Sequence, residues 1–446
     1  MKLHPSSVLP RLAALMAGSV LGLVITSSRE APFVLIPILA LSIVTIVLSV
    51  RHDFDIILWL VTAAAFLLPM NNVRLSSNLT VGDGFVTIAL LLIVIMRMSE
   101  RDLLIAGMDK LLLGIVLIVF GGLLGSFFAA SVGASLSGLM KFGIATMALP
   151  ILFGLWRPGV AELRILAWSI VVGSTVSAVV GIVAIRVVGR AQGLATEPNH
   201  LALASLMAVV LALGLLLETP HRSSRVILLG AVVLLSIGIL SSGSRSGLVA
   251  EVMVVAVVAL LTHNRRVILS TGTGAVVFAL LFASGRLTQS GTSAIARLLG
   301  GGGAGVSDQA RADTLHAALQ TFARHPLTGQ GFQAALATHD IILELAATAG
   351  VLGLLGLGIV AWVVIRPLWA RYHWGASRPN RPGDTLLIGA IAAVVGFLGN
   401  GLVGNQLYDR YIWMVITIAV ALGYDLSRSE HPIPPRPVTA ASPMTW

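Results

Sequence analysis

The chain contains no cysteine among its 446 residues, which excludes a disulfide framework, a thiol nucleophile and a thiolate metal site. Charge is almost as scarce. Only 11% of the residues are Asp, Glu, Lys or Arg, less than half of the about 25% typical of soluble domains. There is no His-Glu-x-x-His motif and no carboxylate cluster between the apolar runs. Glu30, Glu197, Asp308, Asp313 and Asp409 are scattered, so metal chemistry has no support in the sequence. No stretch outside the hydrophobic runs is long enough for a separate soluble domain, except residues 285–338.

What is present is apolar: 57% of the chain is hydrophobic. This composition predicts an all-α, polytopic membrane protein. Runs able to cross about 30 Å of hydrocarbon fall near 11–27, 32–50, 56–70, 83–97, 110–130, 137–155 and 163–188. Others fall near 199–217, 224–241, 245–262, 266–284, 341–365, 385–403 and 411–427. Because some abut, the expectation is about 12–14 spans. The first run lacks a small-residue cleavage site and reads as an uncleaved span. The chain then divides into N-terminal spans (1–284), one large outer loop carrying short helices (285–338), C-terminal spans (339–428) and a tail (429–446).

The formal charge of +10 does not imply a nucleic-acid partner, because polytopic proteins concentrate Arg and Lys in loops as a topology signal. With the N-terminus cytoplasmic, one side collects the greater share, including Lys2, Arg51, Arg97, Lys110, Arg157, Arg222, Arg265, Arg366 and Arg428. The short loops of the other side keep only Arg29, Arg74, Arg190, Arg245 and Arg410. Both termini are therefore expected in the cytoplasm and the 285–338 loop outside. Arginines on the outer side oppose topology and need another reason. A snorkelling side chain suffices for one. Arg190 in "VVGRAQGLATEPNH" and Arg245 in "SSGSRSG", beside a long outer loop that carries more, point to an anion site.

Within that loop, residues 285–306 are glycine-rich and read as mobile. From Asp308, "DQARADTLHAALQTFARHP" fits a short amphipathic helix stopped by Pro326. At 100° per residue, Arg311 shares a stripe with Leu315, Ala318 and Phe322, whereas Arg324 falls on the far side. Arg311 is thus expected to face the membrane domain and Arg324 to face solvent. "GQGFQA" at 329–334 follows no strand and reads as a re-entry turn, not a dinucleotide fingerprint. Thr338 is then expected as N-cap, with His339 and Asp340 in the first turn of the next span. The positive helix end disfavours imidazolium and keeps His339 neutral; Asp340 partly offsets this. Lys141, Glu251 and Glu344 lie within spans and are too few for a proton path across the bilayer.

Three stretches together resemble the O-antigen ligase and O-antigen polymerase family. They are "GRAQGLATEPNHLALA", "LSSGSRSGLVAE" and "RADTLHAALQTFARHPLTGQGFQAALATHDIILELAATAGVLGLLG". The shared pattern is a Pro-Asn opening a span and a Ser-Arg pair before the next one. A large outer loop follows, ending in Pro-x-x-Gly-x-Gly and in His-Asn at a helix start. The resemblance covers about residues 186–360, with Asp340 in place of the usual asparagine. It implies a membrane glycosyltransferase that moves a glycan from undecaprenyl diphosphate to a hydroxyl at the periplasmic face of the bacterial inner membrane. It implies no cofactor and no metal. The acceptor is lipid A–core for a ligase, or another glycan chain for a polymerase. For that reaction Arg190, Arg311 and Arg245 are the candidates to neutralise the diphosphate, and His339 is the candidate base, with Asp340 in support. The competing reading, a transporter of the lipid-linked glycan, needs a polar route that the sparse intramembrane charges do not supply. A purely structural membrane protein leaves the outer arginines unexplained.

Overall fold

Apolar helices gain little from burial against one another in lipid, so they associate through close contact and small residues. The computed structural model describes residues 55–76, 79–97, 107–187, 189–262, 293–298, 304–332, 338–373, 383–402, 404 and 406–430. Within these the chain is almost wholly helical. In order come α1 (Ile56–Leu67), the hairpin β1 (Arg74–Ser76) and β2 (Leu79–Thr80), α2 (Val81–Arg97), α3 (Met108–Ser126), α4 (Val132–Trp156) and α5 (Val160–Val183). A second hairpin, β3 (Arg186–Val187) and β4 (Arg190–Ala191), leads into α6 (Pro198–Glu218), α7 (Arg222–Ser241) and α8 (Arg245–Thr262). The chain continues with α9 (Ala294–Leu298), α10 (Ala304–Arg324), α11 (Ile341–His373), α12 (Asp384–Gly401) and α13 (Arg410–Glu430).

Eight of the described helices are long and apolar enough to cross a membrane: α3 to α8, α11 as far as Trp369, and α12. The all-α polytopic expectation holds. The two short hairpins add to it without forming a larger sheet. The spans expected at 11–27, 32–50 and 266–284 lie outside the described residues.

Helix α6 is the axis of the bundle. Of its apolar window 83% is buried, against 28% for α8 at the periphery. It packs on α5, α7, α8 and α12. At the α6–α12 crossing Gly389 carries no Cβ; one there would stand 2.5 Å from Val210 O, so the backbones approach as only glycine permits.

Helix α11 is broken. Gly350 has φ 62° and ψ −153°, a conformation open essentially to glycine alone. The break frees backbone groups that the Pro326–Gly331 segment then satisfies: Val351 N–H donates to Pro326 O (2.9 Å), Gln330 N–H to Ala347 O (2.8 Å) and Gly331 N–H to Thr348 O (2.9 Å). Gly329 (φ 64°) and Gly331 (φ 77°) make the tight turn expected of "GQG". Irregular backbone of this kind is tolerated at the edge of a membrane bundle where protein covers it. It ties the end of α10 to α11.

Candidate active site

One end of the bundle gathers the two hairpins, the start of α6, the α7–α8 turn, α9, α10, the start of α11 and the α12–α13 connection. Contacts across these loops hold them together: Arg190 to the α7–α8 turn, Arg245 to α10, and Arg410 at the start of α13 to Asp83 of α2 (2.6 Å). Arg74, Arg190, Arg245 and Arg410, arginines that the expected topology disfavours, lie at this end, as does Arg186 of β3.

The β3–β4 hairpin sets the Arg190 guanidinium against the α7–α8 turn. Its Nε donates to Ser242 O (2.7 Å) and its Nη2 to Asn199 Oδ1 (2.8 Å) in the first turn of α6. The same turn supplies Gly243 O to Arg297 Nη1 at 2.8 Å. Arg245 follows at once, opening α8, and forms a forked ion pair with Asp308, its Nη1 lying 3.1 Å from Oδ2. On α10, Arg311 Nη1 lies 3.7 Å from Asp308 Oδ1. Arg190, Arg245, Arg297 and Arg311 thus converge around one serine-glycine turn.

Their charge is poorly compensated. Arg190 and Arg297 are held mainly by carbonyl oxygens, which accept hydrogen bonds without cancelling charge. Burial, then the Arg297 charge, lowers the Arg190 pKa to about 10, with Glu197 opposing. Burial and the neighbouring Arg245 likewise lower Arg297 and Arg311. The hydrogen bond from Arg245 holds the Asp308 carboxyl below its ordinary value. The buried Nε atoms of Arg297 and Arg311 have no hydrogen-bond partner among the described residues, a costly state that a bound anion relieves.

Helix α10 shows Arg311 facing inward with Ala318 and Thr321, and Arg324 exposed, as the periodicity predicts. Leu315 departs from that expectation. It is 37% exposed, because the inward stripe runs through Arg311, Thr314, Ala318 and Thr321, slightly rotated from the apolar one.

His339 stands beside this cluster, exposed, immediately before α11. Desolvation of the ring, then the charge of Arg311, lowers its pKa, with Glu197 acting oppositely. The N-cap is Asp340, not Thr338: Asp340 Oδ1 accepts from Ile342 N–H (2.8 Å) and Leu343 N–H (3.0 Å), and its carbonyl accepts from Glu344 N–H (2.8 Å). His339 and Asp340 therefore precede the first turn. Thr338 serves one step earlier, its hydroxyl donating to Asp340 O at 2.6 Å. The reason is chemical: a short carboxylate reaches the second and third helical N–H groups at the positive helix end. Asparagine caps equally well, so the Asp-for-Asn departure at 340 preserves this job.

Two participants are absent from the sequence reading. Arg297 lies on α9, inside the stretch read as glycine-rich and mobile, yet it is only 6% exposed. A five-residue helix is too short to show periodicity; the available signal was Ser293, whose Oγ accepts from Ala296 N–H (3.3 Å) as a cap. Asp308, read as a scattered carboxylate and the start of a helix, is the counterion of Arg245. Among the described residues no three His, Asp or Glu side chains form a metal-binding group.

No curated protein matches the chain. The family model described as O-antigen ligase matches residues 230–358, the segment from mid-α7 to mid-α11. It contains Arg245, Arg297, Arg311 and His339, while Arg190 joins from outside through Ser242. Over that segment the chain is similar to the O-antigen ligase family, in agreement with the resemblance of its sequence.

Proposed function

We propose that this protein is an O-antigen ligase-type glycosyltransferase, moving a glycan from undecaprenyl diphosphate to a hydroxyl of lipid A–core at the periplasmic face of the inner membrane. The observation that carries this is the group of four arginines around the α7–α8 turn, two with buried Nε atoms that have no acceptor among the described residues. A diphosphate leaving group gains negative charge as its bond to the sugar breaks, and fixed guanidinium groups stabilise that charge best where water is excluded. The acceptor oxygen forms the new bond to the sugar's anomeric carbon while the bond from that carbon to the phosphate oxygen breaks. His339, kept neutral by its surroundings, takes the acceptor's proton, and undecaprenyl diphosphate departs. The arginines supply the charge that a divalent metal supplies elsewhere, so transfer should continue in excess EDTA.

The test is reconstituted transfer together with direct binding of undecaprenyl diphosphate. Arg311→Ala should weaken binding and transfer about tenfold or more, the scale of a lost charge-assisted hydrogen bond, while Arg324→Ala leaves both unchanged. Equal effects from the two substitutions would overturn the donor site. Chain extension of the glycan in place of transfer to lipid A–core would assign the same chemistry to a polymerase.

A further inference from the structure

A cavity with polar groups in its lining lies across the first turn of α6 from the arginine cluster. It measures ≈ 230 Å³, below the ~300–1,000 Å³ of sites for drug-sized ligands and on the scale of one sugar residue. Asn199 of that turn faces Arg190, and the next residue, His200, lines the cavity. The two sites therefore share a wall.

The cavity is built from a buried polar network. Asp409 Oδ2 lies 2.7 Å from His200 Nδ1 and accepts from the Tyr411 hydroxyl at 2.9 Å. Asn71 Nδ2 donates to Asp409 Oδ1 (3.1 Å), and Asn71 Oδ1 accepts from Thr196 N–H (2.7 Å). With Nδ1 engaged, His200 keeps Nε2 as the ring's remaining hydrogen-bonding atom. Tyr408 adds an aromatic wall, its ring set edge-on to Phe142 and Phe332.

The charges of the lining are unequal in what they have left to give. Asp409 is committed to His200, Asn71 and Tyr411. Arg410 is committed to Asp83. Lys141, also in the lining, is exposed and makes no hydrogen bond or ion pair among the described residues. It stands on α4, otherwise an apolar helix, where an ammonium is costly and calls for an anion. Arg74, whose Nε donates to Asn71 O at 3.3 Å, adds its charge at the rim, so Lys141 is the cation of the lining with capacity left. Hydroxyl-matching groups, an aromatic wall and unspent positive charge describe a receptor for an acidic sugar.

We propose that this cavity binds the anionic headgroup of the acceptor glycolipid, a phosphate- or carboxylate-bearing sugar, with Lys141 recognising the anion and the Asn71–His200–Asp409 network holding the ring. This rests on the arginine cluster being the donor diphosphate site. The shared turn of α6 then sets donor and acceptor side by side, Asn199 toward one and His200 toward the other.

The full-length protein in nanodiscs would be titrated with deacylated, phosphorylated core oligosaccharide and with the same oligosaccharide after phosphatase treatment. Wild type should prefer the phosphorylated form about tenfold, the scale of one charge-assisted contact. Lys141→Met should abolish that preference and Lys141→Arg should retain it, while undecaprenyl diphosphate binds all three alike. Equal binding of the two oligosaccharides by wild type, or a preference intact in Lys141→Met, would overturn the proposal. So would weakened undecaprenyl diphosphate binding in Lys141→Met, which would assign the cavity to the donor. Normal undecaprenyl diphosphate binding by Arg311→Ala is a separate result: it removes the donor reading whatever Lys141 does.

Discussion

Arg297 donates one N–H to Gly243 O and buries its Nε, at 6% exposure, without an acceptor among the described residues. Arg324 sits on the surface of α10 with neither feature. Arg297→Ala should therefore weaken undecaprenyl diphosphate binding about tenfold or more with the protein still folded, as read by thermal melting beside the binding curve. An unchanged dissociation constant would make Arg297 a packing residue only. His339 gives a pH signature. A base works in its neutral form, so the rate falls as pH drops through its pKa. Desolvation and Arg311 lower that pKa, and Glu197 alone opposes them; the acid limb of transfer should therefore lie below pH 6.5. Arg311→Gln removes one lowering cause and should move the limb upward, whereas His339→Gln should lose it altogether. Four of the residues in this group were legible in the sequence: Arg190 and Arg245 are cations that the expected topology disfavours, Arg311 shares the apolar stripe of its helix, and His339 opens a span. Arg297 was not, since its value comes from a fold of the loop that leaves no periodic trace.

At the scale of elements, the break in α11 positions the site. The Pro326–Gly331 segment docks on backbone groups freed at Gly350, which fixes α10 and the start of α11 relative to each other. A Cβ at Gly350 would lie 2.4 Å from the backbone of Leu327 and would strain a residue at φ 62°. The strain alone costs about 1–3 kcal/mol. Gly350→Ala should lower the melting temperature by several degrees and reduce transfer, while Gly358→Ala on the same helix, with nothing within 4 Å, should do neither. Melting curves of the two variants side by side check this. The apolar runs announced nearly every described helix to within a few residues, and "GQG" announced its turn. The docking of that turn into a broken helix was illegible, because it depends on hydrogen bonds between segments about twenty residues apart. The cap at Asp340 was missed by two residues because Thr, Asp and Asn share the same capping chemistry.

The whole molecule is a bundle with two unlike ends. One carries the arginine cluster and the cavity. The other carries Arg157, the Arg164–Glu218 pair (2.7 Å), Arg222 and Arg225. The absence of cysteine makes the sidedness easy to measure, since any introduced thiol is unique. Gln320→Cys on α10 should react with a membrane-impermeant maleimide from the periplasm, and Ser223→Cys at the start of α7 should react only after permeabilisation. The reverse pattern would turn the molecule over.

Asp308 bears on turnover. This half-exposed carboxylate occupies Arg245 and lies near Arg311 whenever no other anion does. At the proposed donor site an arriving diphosphate would displace it, and it would stand ready to return. On the proposed function the molecule carries a tethered competitor for its own product, at an effective concentration that no free anion matches. Such a competitor weakens capture slightly and hastens the discharge of the spent carrier. In Asp308→Asn the competitor loses its charge, so undecaprenyl diphosphate should bind more tightly and inhibit at lower concentration. The first round of transfer should then run as fast as in wild type, and the steady rate that follows should be slower. A rapid-mixing measurement that finds no such burst would leave Asp308 as a mere clasp between α8 and α10.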